Sequence, residues 1–577
     1  MPEVDPLFVG RSREVDDVID LVGSAGRVVT IVGCPGVGKS ALALSVAHGL
    51  RRKSVVSVRV NGAGCRSGTA LLHRLIMTLG LHFSADDPSD RQYLYNWINA
   101  HEQRTLFLFD DVDDLAEETK VTSGSRLRDV TVTSSRRLCD VVDELMASVR
   151  NVRVLCTAWR RLYRVGANRE VYRLGDIQSS SESLVRRLLP DLHAEGVESL
   201  TVACDHLPLS LRVSSAALSS EHVDAGRLFE LLTAVDGGRR SSRSGVERLF
   251  AEDDVDRRRL RVLADCLLTI IEAMACPISA VRLMARTAAC FSGSGFDVAE
   301  AVSAMGGADV DARDVETTLD RLTELGVVTR LCTAPMTRYR WRSFVALMAS
   351  STGDSSDCDV TYRQLGLSRL TSAASRYHES VSGCYSALQS VEAELDNVVD
   401  ALWRTLDREE AYDDLSTLCR LDCGAFLCEV LPDDVLVALF EAVEREAAEH
   451  SGLEALGVRS RALSCLSYRH LAAGRISDAL SCAERALQLS SDDGEATVSA
   501  LYCLSRAQKN NRERRKALST ARQAFDACKT AGLIVPSVEL TNVVAVYAVE
   551  WYAWMLTQSD NFQTARHWCV QLLCEFS

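Results

Sequence analysis

Arg27-Val28-Val29-Thr30-Ile31-Val32, running directly into Gly33-Cys34-Pro35-Gly36-Val37-Gly38-Lys39-Ser40, is the stretch on which the fold turns. Its first six residues are a short apolar run of the kind a buried parallel strand needs. The next eight have the spacing G-x-x-x-x-G-K-[ST], the P-loop, and from Ala41 the apolar residues recur with helical period. Strand, glycine-rich turn and helix start together make an anion cradle. Glycines let backbone amides turn inward, and the helix directs its positive end at phosphate oxygens. Gly33, Pro35, Gly36, Val37, Gly38, Lys39, Ser40 and Ala41 are therefore the expected nucleotide-binding residues. Lys39 would reach the β- and γ-phosphates, and the Ser40 hydroxyl would serve Mg²⁺.

Outward from this turn, residues 55–60, 105–109, 152–156 and 171–174 are further candidate strands. Helical periodicity occupies 41–50, 69–79, 91–101 and 138–147. Such alternation predicts a doubly wound parallel sheet. The stretch 117–137, rich in Thr, Ser and Arg, breaks it and is expected to be an inserted surface loop. Strand 105–109 ends in Asp110-Asp111. A carboxylate at the end of a buried strand is what a magnesium site beside a P-loop requires, so Asp110 is the expected metal ligand with Ser40. Asp111 is the candidate for the catalytic role of polarising an attacking water.

Composition limits the alternatives. The 577 residues carry 79 Asp plus Glu against 65 Lys plus Arg, a net charge of −14. A protein devoted to gripping nucleic acid is not expected to be this acidic. Arg239, Arg240 and Arg243, the run 257–259, and Lys509 with Arg512, Arg514, Arg515 and Lys516 are local basic clusters, each expected to be a solvated helix face. There is no secretory leader and no long uncharged apolar run, so no membrane span is expected. With 20 cysteines, none in a C-x-x-C pair, a reducing and cytoplasmic setting is expected. Cys419, Cys423 and Cys428 are expected to be buried structural thiols rather than a metal site.

Phe8-Val9-Gly10-Arg11 followed by Glu14 resembles the F-V-G-R-x-x-E lead of the NB-ARC group of STAND signalling ATPases. The resemblance implies that Val9, Gly10 and Arg11 belong to the nucleotide site, with the lead over the adenine. Thr157 and Arg160 are similar to the family's sensor segment, with the arginine displaced by one place. Leu207-Pro208-Leu209 resembles its G-L-P-L motif, whose proline packs on the base; His206 replaces the glycine and is given no chemistry. Residues 280–302 and 315–325 read as helices, and 327–331 with 338–341 as a hairpin, the make-up of a winged helix. Tyr339-Arg340-Trp341-Arg342-Ser343-Phe344-Val345 is similar to the segment whose histidine touches the β-phosphate of ADP in that family. Arg342 stands at the histidine position, where it either forks onto a phosphate or points to solvent.

The polar stretch 350–359 is expected to end this half. Beyond it no strand signal survives. Gly474, Ala479 and Ala486 share their spacing with Arg512, Ala517 and Ala524, and with Asp560, Ala565 and Leu572. The pattern resembles the second helices of tetratricopeptide repeats, and 392–405 the linker before them.

The expected architecture is thus a multidomain α/β plus all-α chain. A P-loop domain (1–175) would be followed by a helical domain (176–258), a winged helix (259–350) and a TPR-like solenoid (360–577). No effector domain is expected before the lead and no capping helix after the third repeat. The function implied is an ADP/ATP and Mg²⁺-dependent switch with at most slow hydrolysis. Its repeats would bind a protein partner, with self-assembly following nucleotide exchange. A repeat scaffold with a structural nucleotide and a conventional P-loop ATPase or kinase are the alternatives.

Overall fold

A computed structural model describes the chain except at residues 1–4, 24–27, 63–64, 66–67, 82–87, 101–103, 114–137, 160–168, 234–253, 292–294, 307–309, 334–335, 351–355, 378–380, 393, 407–414, 420, 432, 451, 491–492, 534–542 and 558–577. The expected inserted loop, Arg160, Arg239, Arg240, Arg243 and the third repeat unit lie outside the described residues. The chain divides into two compact units, with the main division between Tyr362 and Arg363.

The first unit opens with α1 (Ser12–Val22), β1 (Val28–Val32), α2 (Lys39–Arg51), β2 (Val55–Asn61), α3 (Gly68–Thr78), α4 (Pro88–Ala100), β3 (Arg104–Asp110), α5 (Leu138–Ser148), β4 (Val152–Ala158) and β5 (Arg169–Arg173). The five strands form one parallel sheet in the order β2-β3-β4-β1-β5. The central strands β1 and β4 are buried along their whole length, which is why their sequences are continuous rather than alternating apolar runs. Leu42, Val46 and Leu50 of α2 pack with Val18 and Val22 of α1 over Val29 and Ile31. Because β4 lies between β1 and β3, the P-loop and Asp110 emerge one strand apart on the same sheet edge. Open α/β sheets bind ligands at that edge.

Five helices follow: α6 (Ser181–Leu188), α7 (Ala194–Ala203), α8 (Pro208–Leu218), α9 (Ala225–Thr233) and α10 (Asp254–Ala273). Then come α11 (Ala280–Cys290), α12 (Val298–Met305), α13 (Ala312–Glu324), the antiparallel hairpin β6 (Val328–Thr333) and β7 (Met336–Trp341), and α14 (Ser343–Ser350). The span expected to be helical over 280–302 is broken between α11 and α12. There Phe296 instead pairs with Tyr339 of the hairpin, its N–H and C=O both bonded at 2.7 Å. Asp297 and Glu300 start α12 with a reciprocal capping box. Phe296 stacks on Trp341 and meets Phe291 at a tilt, and the Trp341 indole donates to Thr287 Oγ1 at 2.9 Å.

The second unit is helical throughout its described residues: α15 (Ser356–Tyr377), α16 (Val381–Glu392), α17 (Leu395–Leu406), a 3-10 turn (Thr417–Cys419), α18 (Leu421–Val430), α19 (Asp433–Glu449), α20 (Leu453–Ala472), α21 (Ile476–Leu489), α22 (Gly494–Asn510), α23 (Arg514–Thr530) and α24 (Val543–Thr557). The stretch 350–359 is not a clean break, since α15 starts inside it. Tyr362 of α15 packs edge-on against Phe291, 5.3 Å between ring centres, and stays with the first unit. Helices α20–α21 and α22–α23 are antiparallel-paired hairpins of one design. Gly474 and Arg512 turn the corner at φ 72° and 66°. Ser467 Oγ donates to the Ala479 carbonyl at 2.8 Å, and Ser505 Oγ to the Ala517 carbonyl at 2.6 Å. The alanines there are fully buried, which brings the paired helices close. Cys419 and Cys423 are buried, Cys428 half-buried, and burial pushes the Cys419 thiol well up. Among the described residues no cluster of ligating side chains has a metal's geometry.

Candidate nucleotide site

Along the sheet edge of the first unit runs a cleft of about 680 Å³. Its floor is the P-loop. Gly36 and Gly38 hold φ of 82° and 100°, left-handed backbone that only glycine adopts without strain. A β-carbon at Gly38 would meet no atom within 4 Å, so the space above it is open. Gly38 caps α2, whose first-turn amides face that space, and Lys39 Nζ spans the loop to the carbonyls of Gly33 and Cys34 at 2.8 and 3.2 Å. Cys34 is buried, and burial raises its thiol to about 12, so it remains a neutral packing group.

The lead sequence forms one wall. Leu7, Phe8, Val9 and Arg11 line the cleft. Gly10 passes so close to Ser180 that a β-carbon there would lie 1.9 Å from its Oγ. Arg11 is buried at 5% exposure. It pairs with Glu14 at 2.8 Å and donates to the carbonyls of Val37 and Gly175 at 3.3 and 2.6 Å. Its guanidinium is thus a cross-brace between lead, P-loop and the segment after β5. The opposite wall is α8. Pro208 sits in its first turn, and the Leu209 N–H bonds the Gly36 carbonyl at 3.1 Å, fastening this helix to the P-loop. His206 bonds Ser181 Oγ through Nδ1 at 2.9 Å, outside the cleft lining.

At the rear, Asp110, Asp111, Asp113 and Ser40 line one end of the same cleft. Asp110 is 2% exposed; its Oδ1 accepts from Thr157 Oγ1 and its Oδ2 from Arg59 Nη2, each at 2.6 Å. Thr157, at the tip of β4, in turn accepts the Asp111 N–H at 2.8 Å. Asp111 holds φ 61°, a left-handed conformation fixed by that bond.

The hairpin region closes the remaining side. Gly326, Thr329, Arg340 and Arg342 all line the cleft. Arg342 donates through Nε to the Gly326 carbonyl, and its guanidinium lies open to the cleft's water although it stands among dense protein atoms. That crowding, with Arg212 beside it, lowers its pKa. Arg212 and Asp5 are site residues the motifs did not reveal. They form an ion pair, and Asp5 Oδ1 also accepts the Leu7 N–H at 2.9 Å. Burial acts to raise the Asp5 carboxyl, but these bonds prevail and hold it below its usual 3.8. Arg59 was missed as well. Its signal was a single charge in an otherwise uncharged strand, VVSVRVN.

In the basic run 257–259, Arg258 is solvated as expected, at 78% exposure, but Arg259 is not. Arg259 is 18% exposed and pairs with Asp176, with Asp205 at 3.8 Å and with Asp256 at 3.8 Å. It ties α10 to the segment after β5 and to the turn between α7 and α8.

The residues present fit a nucleotide and Mg²⁺. The open cradle over Gly38, the Lys39 cation and the Ser40 and Asp110 oxygens share one cleft. The comparisons agree at the level of the domain. A profile described as AAA domain matches residues 22–155. The Regulatory protein AfsR of Streptomyces griseus is 26% identical over 527 residues, covering 85% of this chain and 49% of that protein. Its namesake from Streptomyces coelicolor is 25% identical over 421 residues, covering 70% of this chain and 37% of that protein. The chain spans about half the length, or less, of these curated relatives. Among solved structures, a STAND protein with a tetratricopeptide repeat sensor from Pyrococcus horikoshii matches at 14% identity with a TM-score of 0.48, covering 99% of this chain and 77% of that one. The chain thus carries a P-loop domain similar to the AAA domain, followed by a mostly helical region. Among the described residues no helix is long and apolar enough to cross a membrane.

Proposed function

We propose that this chain is a nucleotide-gated regulatory switch of the STAND type, with an NB-ARC-like core and TPR-like repeats that hold a protein partner. The observation that carries the proposal is the make-up of the cleft wall. Phe8 and Val9, the P-loop, Asp110, Pro208 and Arg342 come from motifs spread over more than half the chain and line one cavity. A dedicated enzyme needs a second substrate constellation. Among the described residues, this cleft is lined by the lead, the P-loop domain, the helices after it and the hairpin region.

In this proposal the P-loop amides and Lys39 bind the β- and γ-phosphates, while Phe8, Val9 and Pro208 cover the base. Ser40 and Asp110 would hold Mg²⁺, which when bound offsets phosphate charge. Thr157 keeps the Asp110 carboxylate oriented, and Asp111 is the candidate for steering water in a slow hydrolysis. Arg342, which lines the same cleft, would touch the phosphates of ADP and keep the hairpin region, read as a winged helix, against the cleft. Exchange for ATP would favour an arrangement in which that contact is lost, and the population would shift accordingly. Self-assembly would follow from the surface so released.

The test is to denature the purified protein and identify the released nucleotide by chromatography, then to measure turnover and exchange. Co-purified ADP, negligible steady-state hydrolysis and exchange stimulated by a repeat-binding partner are expected. Rapid turnover of ATP with a second substrate would overturn the switch in favour of a conventional enzyme. Bound nucleotide that never exchanges would leave a scaffold.

A further inference from the structure

Asp110 already has a cation. Arg59 grips its Oδ2 with two nitrogens, Nη2 at 2.6 Å and Nε at 3.2 Å, while Thr157 holds Oδ1. The pair is unequal in burial. Asp110 is 3% exposed at its side chain and Arg59 33%, and both line the cleft that Lys39 and Ser40 share. Register places Asn61 opposite Asp110, so Arg59 lies back along β2 and reaches forward to the carboxylate.

We propose that Arg59 is a built-in counter-ion for Asp110 that metal must displace, so that the nucleotide site takes Mg²⁺ only as Arg59 lets go. The inference rests on Asp110 serving the nucleotide site. A carboxylate this buried is costly to leave without a partner, and the two guanidinium nitrogens on Oδ2 offset that cost. The same lone pairs cannot serve a dication or its water shell at full strength while the fork holds them. Two cations on one carboxylate also repel. Arg59 or metal therefore occupies Asp110, a two-state exchange on a single group. The one-third exposure of Arg59 gives it a wet route away, so the exchange needs no unfolding. The consequence is a site that prefers free nucleotide until Mg²⁺ is abundant.

The experiment titrates Mg²⁺ into the full chain with a fluorescent ATP analogue, comparing parent, Arg59→Gln and Arg59→Lys. Analogue affinity in EDTA is measured alongside. Arg59→Gln should lower the Mg²⁺ concentration for half-maximal enhancement of binding by about three- to thirty-fold, the range of one partly exposed charge-assisted bond. Arg59→Lys keeps the charge without the fork and should shift it less, in the same direction; it also decides the matter if the glutamine variant does not fold. An unchanged or higher Mg²⁺ requirement overturns the counter-ion role while leaving the nucleotide site intact. Loss of analogue affinity in EDTA by Arg59→Gln alone would make Arg59 a phosphate contact and overturn it too. If the parent binds no analogue under either condition, the nucleotide site itself falls, and this inference with it.

Discussion

The two units differ in whether their polar bonds repeat. In the first unit Arg11 reaches Gly175 across 164 positions, and Arg59 reaches Asp110 across 51. In the second, Ser467 and Ser505 each reach a carbonyl 12 positions on, and the bond recurs in successive helix pairs. A chemical site needs groups that no local periodicity can bring together, so its bonds are long-range and individually distinct. A repeat needs only neighbouring helices, so part of its bonding is copied from pair to pair, although Ser505 also accepts from the Trp551 indole 46 positions on. Damage should spread accordingly: through the whole site in one unit, and no farther than neighbouring helices in the other.

The largest effect expected is Lys39→Ala, which removes the cation over the P-loop. Nucleotide affinity should fall about a thousandfold, roughly 4 kcal/mol, in isothermal titration, with hydrogen exchange in 453–530 unchanged. Retained affinity would break the contrast at its root. Next is Arg11→Ala. It removes the donor to the Val37 and Gly175 carbonyls and the partner of the half-buried Glu14, and should cost the first unit about 2 kcal/mol. Faster exchange should appear together in peptides from the lead, the P-loop and the segment after β5. Confinement to the lead would show that Arg11 is not a brace.

Ala479→Leu tests the other side. Overpacking a fully buried alanine at a helix pair should cost about 2 kcal/mol, with faster exchange in 453–510 and none in the first unit. Arg342→Ala should weaken ADP binding about tenfold, and ATP less, since one exposed charge-assisted contact is lost. Equal affinities would return Arg342 to the role of a hairpin residue held by Gly326.

The smallest effect is one of pH. Burial, then the nearby Arg475, holds the His470 imidazole below its ordinary 6.5, and its Nδ1 has no hydrogen-bond partner. The unfolded chain therefore takes up the proton first. Stability from this group is complete above pH 6.5 and is lost as pH falls below it. Thermal melts of the second unit should decline between pH 7 and pH 5, and His470→Gln should flatten part of that slope. A slope unchanged by the substitution would remove His470 from the account.

Much of this was legible in the chain. The strands from 27 to 174 were found within two or three residues, because a parallel sheet buried on both faces writes itself as continuous apolar runs. The P-loop and the alanine spacing of the repeats were legible for the same reason: each is local. Within the basic run 257–259, Arg258 is the solvated residue expected, and Arg259 is the exception. A single arginine among charged neighbours looks solvated unless its three aspartates, two of them far away in sequence, are known.

By itself, then, the sequence determined the phosphate cradle, the order of α/β sheet and helical repeats, and the acidic strand end at Asp110. These follow from spacing, period and composition, which a linear chain carries. Only the tertiary structure decided that Arg59 and Thr157 share Asp110, that Arg11 braces the P-loop, and that Arg212 and Asp5 join the cleft. The partners in each pair lie tens to hundreds of residues apart. What brings them together is strand order and helix packing, set by the burial of apolar surface, and that burial carries no mark of which polar groups it will leave face to face.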